Sequence, residues 1–541
     1  MLVPLHGSRR LVALATLGLL LAAGAGVALA QKPSTVPPQP PLPQVTPPGI
    51  QPLPRQPAPL PPRTGVPDAG QHPGKPPAQG QAPVQPQRPP AVAAPPAAPG
   101  GKPRVAPPAP PPVARPAPQP IPPNEPPPVT ALRQMLPPGT QLSYAAAEVM
   151  DPASGRTRLT GVVMTDASGR TTAEELVFEG VGPQGAQALS IRNLVLTTNE
   201  RPAVRITLAA LDLRGLVIRQ PFGMGMPDPS MVDLDVLRLE GFRLDAEVHA
   251  AIGTLEIAGW GGGRPTRIAA TGLEIGGPPQ RAPFDRMAIG RFAMAGLDLQ
   301  AMAAAVVQST PPPMVPGDQL FEMADIAFTM RGAPVASVAA VTAASRTDAA
   351  GSGTGRMAIR GVRIGAAAGI GDWLRRFGYD EIRAELSADS TYDAPTGRME
   401  ITDFRLAGQD VGALTLSLLF DGLTPEAAMR NEYRALRFLG GRLVWLDQSI
   451  LARFLRDQAR QQGGSEAALR EQFAALAGGV LGQPGAAMAS VREAVLRYIR
   501  GQASEIEIVA RPPAPITADT MDRLGAPGPA MDALGLSATA R

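Results

Sequence analysis

Apolar and polar residues alternate with a period of two over much of this chain, and the clearest run begins at Asp380. Ile382, Ala384, Leu386 and Ala388 alternate with Arg383, Glu385, Ser387 and Asp389, the spacing of a half-buried strand. Asp393-Ala-Pro-Thr-Gly397 follows as a turn, because Pro395 fixes φ and Gly397 tolerates positive φ. A second strand starts with Met399 and Ile401. Its apolar phase shifts to Phe404 and Leu406 after Asp403, which predicts a one-residue bulge. Gly408 to Gly412 turns the chain again, and Leu414, Leu416, Leu418 and Phe420 give a third strand. The stretch predicts an antiparallel meander with one apolar face.

Most of the chain before it repeats this theme. RLEGFRL, RNLVL, ATGLEI, AMAGLDL, AIRGVRI and TDFRLAG share a loose pattern in which two apolar-x-apolar runs are joined by a short step, often Gly or Ala. Their spacing is too irregular for a named solenoid. Aromatic residues are only 4% of the chain, so the strands bury Leu, Val, Ile, Met and Ala, and a long, thin or curved sheet fits better than a large closed core. The expected fold is mainly β with a C-terminal helical part (α+β): an extended curved antiparallel sheet of degenerate strand repeats over residues 129–423.

Three segments interrupt the strands. Gln220 to Pro229 reads as a loop with exposed apolar residues, which makes Phe222, Met224 and Met226 candidate contacts for a partner or lipid. The two methionines suit copper(I), but no Cys or His stands nearby, and packing of the loop on the sheet is the plainer reading. Ala301 to Gly317 reads as a short helix that ends in a proline loop. Gly371 to Gly378 predicts one or two helical turns capped by Asp372 and stopped by Gly378. Trp373 and Phe377, beside Arg375 and Arg376, are the other candidate contacts, against the alternative that the segment plugs one end of the sheet.

After residue 423 the period changes to that of helices, and residues 424–511 read as a helical subdomain. Thr424-Pro425-Glu426 is a helix start with proline at the first position. Leu436 to Leu446 returns to strand, and Asp447 caps a helix with Ile450, Leu451, Phe454 and Leu455 on one face. Ser465 opens another with Leu469, Phe473, Leu476, Val480 and Leu481 in a stripe. Val491, Val495, Tyr498 and Ile499 form a third. All three stripes are expected to face the core. Ile506 to Val509 adds a strand, and residues 512–541 form a tail.

Composition separates the N-terminal quarter from the rest. Residues 1–30 read as an export signal, with Arg9 and Arg10, an apolar run from Leu11 and a small-x-small site at Ala28-Leu29-Ala30. An uncleaved inner-membrane anchor is the alternative, since Leu11 to Ala30 carries no charge. Residues 31–128 are dominated by Pro, Ala and Gln, a composition of a disordered linker with extended polyproline character. Ten Lys or Arg against Asp68 and Glu125 make residues 1–128 +8 within a whole-chain charge of +4, leaving the remainder at −4. The basic pI therefore belongs to the arm and gives no ground for nucleic-acid binding.

Several chemistries are poorly supplied. Cysteine is absent, which removes disulfides, thiolate metal sites and cysteine nucleophiles. Lysine occurs only at Lys32, Lys75 and Lys102, so the folded part has none for a Schiff base or phosphate loop. His249 lacks the partners that tune a general base. The GSGTG run at Gly351 to Gly355 lacks the lysine and the strand-to-helix setting of a phosphate cradle. Asp233 and Asp235 share one side of a strand, and without a base or cradle beside them they read as surface charges; a carboxylate hydrolase ranks last. No cofactor is expected.

The tandem strand pattern, with LVWLDQSILARFLRDQARQQGGSEAALREQF near the C-terminus, resembles the AsmA-like and YdgA-like envelope proteins over roughly residues 130–510. That resemblance implies an export or anchor segment, long repetitive β-sheet and an apolar groove linked to lipid movement. The long proline arm and modest length depart from the larger relatives. The expected function is thus that of a noncatalytic periplasmic protein that binds lipid or an envelope partner on the apolar face of its sheet. The alternative is a periplasmic scaffold, tethered by the proline arm, that binds protein or cell wall.

Overall fold

In a chain of alternating strands, the turns and bulges decide which side chains meet. The computed structural model describes residues 124–541 except 137–138, 183, 200, 220–228, 278–283, 309, 311–312, 426, 428–431, 483–484 and 525–526. The expected leader and the proline-rich segment up to residue 123 lie outside the described residues, as do Phe222, Met224 and Met226.

Helix α1 (Pro127–Met135) precedes β1 (Gln141–Ser143) and β2 (Ala146–Asp151), which both pair with β3 (Arg156–Thr165). Each later strand then pairs antiparallel with the one before it. They are β4 (Gly169–Glu179), β5 (Gly185–Thr198), β6 (Arg205–Ile218), β7 (Val232–Asp245), β8 (His249–Trp260), β9 (Thr266–Gly276) and β10 (Arg286–Leu297). Helix α2 (Leu299–Gln308) leads to β11 (Gly317–Met330), β12 (Ala333–Thr347) and β13 (Gly353–Gly365). Helix α3 (Gly371–Phe377) leads to β14 (Glu381–Asp393), β15 (Arg398–Gly408), β16 (Gly412–Asp421) and β17 (Arg437–Asp447). Helices α4 (Ile450–Gln462), α5 (Glu466–Val480) and α6 (Ala486–Ile499) intervene before β18 (Glu505–Ala510) returns beside β17. Strand β19 (Ile516–Thr517) also pairs with β17, and after α7 (Ala518–Leu524) and α8 (Pro527–Ala533) strand β20 (Leu536–Ala540) pairs with β18. The twenty strands among the described residues make one open antiparallel sheet that does not close into a barrel. The mainly β fold with a C-terminal helical part is therefore observed.

The Gly or Ala step of the sequence repeat has a structural meaning. Gly161, Asn193, Gly241, Gly272, Asp325 and Gly361 all have left-handed φ, between 50° and 64°. They fall one to each odd-numbered strand from β3 to β13, and they lie in one row across the sheet, because the flanking residues are register partners. Such a residue locally interrupts alternation, so apolar residues on its two sides change parity and still share a face. Leu239 and Phe242, on either side of Gly241, are both buried. A second row, six residues away, falls on even-numbered strands at Gly215, Gly259 and Gly296.

A steric rule accompanies the first row. A Cβ on Gly241 would stand 2.9 Å from the Cβ of Ala209, one on Gly361 would stand 2.7 Å from that of Ala339, and one on Gly290 would stand 2.8 Å from that of Asp325. The left-handed glycines Gly161, Gly241 and Gly361 each face an alanine Cβ, Gly272 faces Gly253, and where the left-handed residue is Asp325 the neighbour is Gly290. Asn193 departs from this rule: it faces Glu174 and donates a 2.5 Å hydrogen bond to it from Nδ2.

The expected bulge near Asp403 is present, since Asp389 pairs with Asp403 but Ser390 pairs with Ile401, which leaves Thr402 extra. The opposite face of the sheet carries cross-strand ion pairs such as Arg158–Glu175, Arg238–Glu256, Arg346–Asp318 and Arg356–Asp389, 2.6–3.0 Å apart. Such exposed pairs set register more than stability. Asp447 Oδ1 accepts the Ile450 N–H at 2.9 Å, and Ser465 Oγ accepts the Ala468 N–H at 3.1 Å, so both helices start where expected.

Two expectations need correction. Asp372 does not cap α3: the cap position is Ile370, and Asp372 lies in the first turn paired with Arg375, while Gly378 ends the helix in a left-handed conformation as foreseen. The α5 stripe is only partly core. Leu469 is buried and Phe473 half-buried, but Leu476 and Val480 are 64% and 69% exposed, because α4 and α6 cover only one side of the helix.

Candidate functional site

The apolar face can be followed strand by strand along one line of register partners. Leu159, Leu176, Ile191, Leu211, Leu239 and Leu255 pair in succession from β3 to β8. The line runs on through Ala270, Phe292, Met323, Val341 and Ile359. Leu386, Leu406, Leu414, Trp445, Ile506 and Ala540 complete it as far as β20. Every member is apolar. The stagger of the bulges keeps the line unbroken even though the parity of its members changes from strand to strand.

Burial along this line is uneven. Leu159, Leu176, Leu239, Leu255, Ala270 and Phe292 are at most 5% exposed, with Ile191 and Leu211 half-buried among them. Met323, Val341, Ile359, Leu386, Leu414 and Trp445 are only half-buried, and Leu406 is 43% exposed. Ile506 and Ala540 are buried again. The open part spans β11 to β17, about 30 Å across at the usual strand spacing of about 4.8 Å.

Helices cover the face near both limits of the line. At the N-terminal limit α1 lays Val129, with Leu132 and Leu136, onto a core of Leu142, Leu159, Val162, Leu176 and Phe178. The helix is held by Glu125, whose carboxylate is 1% exposed and accepts Arg133 Nη2 at 2.6 Å. The hydroxyls of Thr130 and Tyr144 donate to it at 3.3 Å each, and Arg133 Nη1 donates to the Leu142 carbonyl at 3.0 Å. The hydrogen bond from Arg133 is the main cause that holds the Glu125 carboxyl below its ordinary range, against the opposing effect of burial; burial raises the Tyr144 hydroxyl. At the C-terminal limit Tyr498 of α6 accepts the Trp445 indole N–H at 3.0 Å, above β17. Burial is the main cause that raises the Tyr498 hydroxyl. Ser490 of the same helix caps the outer edge of β20: its Oγ accepts the Ala538 N–H at 2.6 Å and donates to the Ala538 carbonyl at 3.0 Å. An edge occupied in this way is closed to further strand pairing.

Trp373 and Phe377 sit beyond the strand ends. Trp373 is 40% exposed, with its ring 4.8 Å from that of Phe377 and stacked 5.9 Å from that of Tyr379. The Arg453 guanidinium lies 4.1 Å over the Tyr379 ring, and Arg376 pairs with Asp457 at 2.7 Å, so α3 is docked onto α4.

The remaining candidates are structural. Asp233 binds Arg219 at 2.6 Å and accepts from Gln300 of α2, and Asp235 pairs with Arg264 at 2.7 Å. His249 is exposed at the start of β8, 3.6 Å from Asp245. Gly351 to Gly355 joins two antiparallel strands. Among the described residues no group of His, Asp and Glu has the geometry to hold a metal ion, and no helix is long and apolar enough to cross a membrane. Sequence reading missed Glu125 and α1, since it ran the unfolded arm to residue 128. The available signal was Val129, Leu132 and Leu136 at helical spacing directly after a proline start.

A protein-family model described only as "Uncharacterized protein" matches residues 405–541, which covers the end of the meander, the three helices and the returning strands. No curated protein and no solved structure matches the chain.

Proposed function

We propose that this is a noncatalytic protein of the cell envelope that holds a lipid, or an apolar segment of an envelope partner, on the open part of its apolar face. One observation carries the reading: the register line from Met323 to Trp445 stays apolar and half-exposed across seven strands, while both ends of the same line are buried. Exposed apolar surface of this extent is uncommon on monomeric proteins unless something covers it. Helices at both limits suit a site of finite length that retains its occupant, in contrast to an open-ended groove through which lipid passes. The leader read in the sequence and the resemblance to AsmA-like proteins support a periplasmic location, with inner-membrane anchoring by the N-terminus as the alternative.

The test uses a polarity-sensitive dye displaced by phospholipid. Wild-type protein takes up the dye and releases it to phospholipid, and a Leu406→Asp variant, at the most exposed member of the line, does neither while keeping its unfolding midpoint. Dye uptake equal in both proteins, or absent in wild type after lipid extraction, would sink the reading. A second reading, a scaffold tethered by the proline arm, is favoured by the Glu125 clasp, which fixes where the arm leaves the sheet. It requires that removal of residues 31–123 abolish function and leave the dye assay unchanged.

A further inference from the structure

Helix α5 buries Leu469 and Ala474 on one side and turns Ala468, Gln472, Ala475, Leu476, Gly479 and Val480 outward. Leu476 and Val480 are the large side chains of this outer face, 64% and 69% exposed. No charged residue occurs anywhere between Glu471 and Arg492. The surrounding charge is net positive: residues 450–500 hold seven arginines against four acids, +3, within a body whose residues 129–541 total −4. The arginines that touch α5 are partly neutralised: Arg470 and Arg456 share Glu466, and Arg500 pairs with Glu471. Among the described residues Arg453, Arg460, Arg492 and Arg497 have no carboxylate partner and contribute to the net positive charge.

We propose that α4 to α6 form a membrane-docking cap, seated through the outer face of α5 on a bilayer surface that contains anionic lipid. A charge-free helix face with two exposed large apolar side chains, on a cap of net charge +3, suits attachment to an anionic interface, with the positive charge supplied by α4 and α6 more than by α5 itself. At 15 residues, about 22 Å, α5 is too short to span a bilayer core of about 30 Å. A second copy is the poorer occupant, since it would bring one +3 cap against another. The proposal does not depend on what the apolar face of the sheet holds.

Because the chain has no cysteine, a single label can report on the cap alone, whatever the N-terminal segment does. Full-length protein with Val480→Cys carries a polarity-sensitive fluorophore and is mixed with vesicles of phosphatidylcholine alone or with phosphatidylglycerol added. The emission is expected to shift to the blue with the anionic vesicles, to do so at least tenfold more weakly with phosphatidylcholine alone, and to reverse in high salt. In a Leu476→Asp background the shift disappears while the unfolding midpoint stays within error of wild type, since the residue is exposed. Arg460→Gln/Arg492→Gln lowers the apparent affinity and the salt dependence together. An unshifted probe with both vesicle types would overturn the proposal. So would a shift that Leu476→Asp leaves intact, or light scattering in which wild type is a dimer and Leu476→Asp a monomer.

Discussion

Gly241→Ala tests whether the left-handed row is a designed crease or a tolerated irregularity. Two costs combine at this site. An L-residue at a φ of 64° costs about 1–2 kcal/mol relative to glycine. The new Cβ would stand 2.9 Å from that of Ala209, an overlap that forces backbone movement and costs about 1–3 kcal/mol. Gly241→Ala is therefore expected to destabilise by about 2–5 kcal/mol. Gly290→Ala isolates the second cost, because Gly290 has no positive φ while its Cβ would stand 2.8 Å from that of Asp325. It should cost about 1–3 kcal/mol. Ala209→Gly removes the overlap at a cost of about 0.5–1 kcal/mol for glycine in a strand, so Ala209→Gly/Gly241→Ala should recover at least about 1 kcal/mol relative to the sum of the single changes. Urea unfolding followed by circular dichroism and by the buried Trp260 on β8 gives the midpoints. A Gly241→Ala midpoint equal to wild type, or a double variant no better than the sum of the singles, would refute the reasoning.

Other expectations are separate. Glu125→Ala removes a buried carboxylate from four donors and should cost about 2–3 kcal/mol, read as a lower urea midpoint. Glu125 has a lowered pKa when folded, so its stabilisation is complete above the unfolded value of about 4.3 and is lost as pH falls through the folded value. The gap between wild type and Glu125→Gln should accordingly narrow below about pH 4; a gap independent of pH would contradict the assignment. Tyr498→Phe leaves the Trp445 indole N–H without its partner, with an expected loss of about 1 kcal/mol and a changed near-ultraviolet signal from Trp445. Ser490→Ala frees both backbone groups of Ala538 at the outer edge of β20, and faster amide exchange at Ala538 than in wild type is the expected readout.

Much of the fold was legible because strand and helix periods are local properties. The meander from Ile382 to Phe420, its bulge and the Ser465 cap appear where the sequence places them, while the helix after Asp447 has Ser449 at its cap position with the Asp447 carboxylate accepting its first N–H. The recurring small-residue step was legible as a pattern but not as a crease, since only backbone angles reveal which residue is left-handed and which neighbour gives up its Cβ. Of the nominated contacts, Trp373 and Phe377 lie on a helix that Arg376 and the neighbouring Tyr379 tie to α4, a packing fact no periodicity contains.

By itself the sequence determined which residues alternate, where the chain turns, where the period changes to that of helices, and which chemistries the folded part lacks groups for. Tertiary structure alone decided that one apolar line runs unbroken from Leu159 to Ala540, that its longest open stretch lies between β11 and β17, and that Leu476 and Val480 face outward. The reason is that alternation depends on residues two apart in the chain, whereas register, burial and the exposure of a helix face depend on elements brought together from far along it.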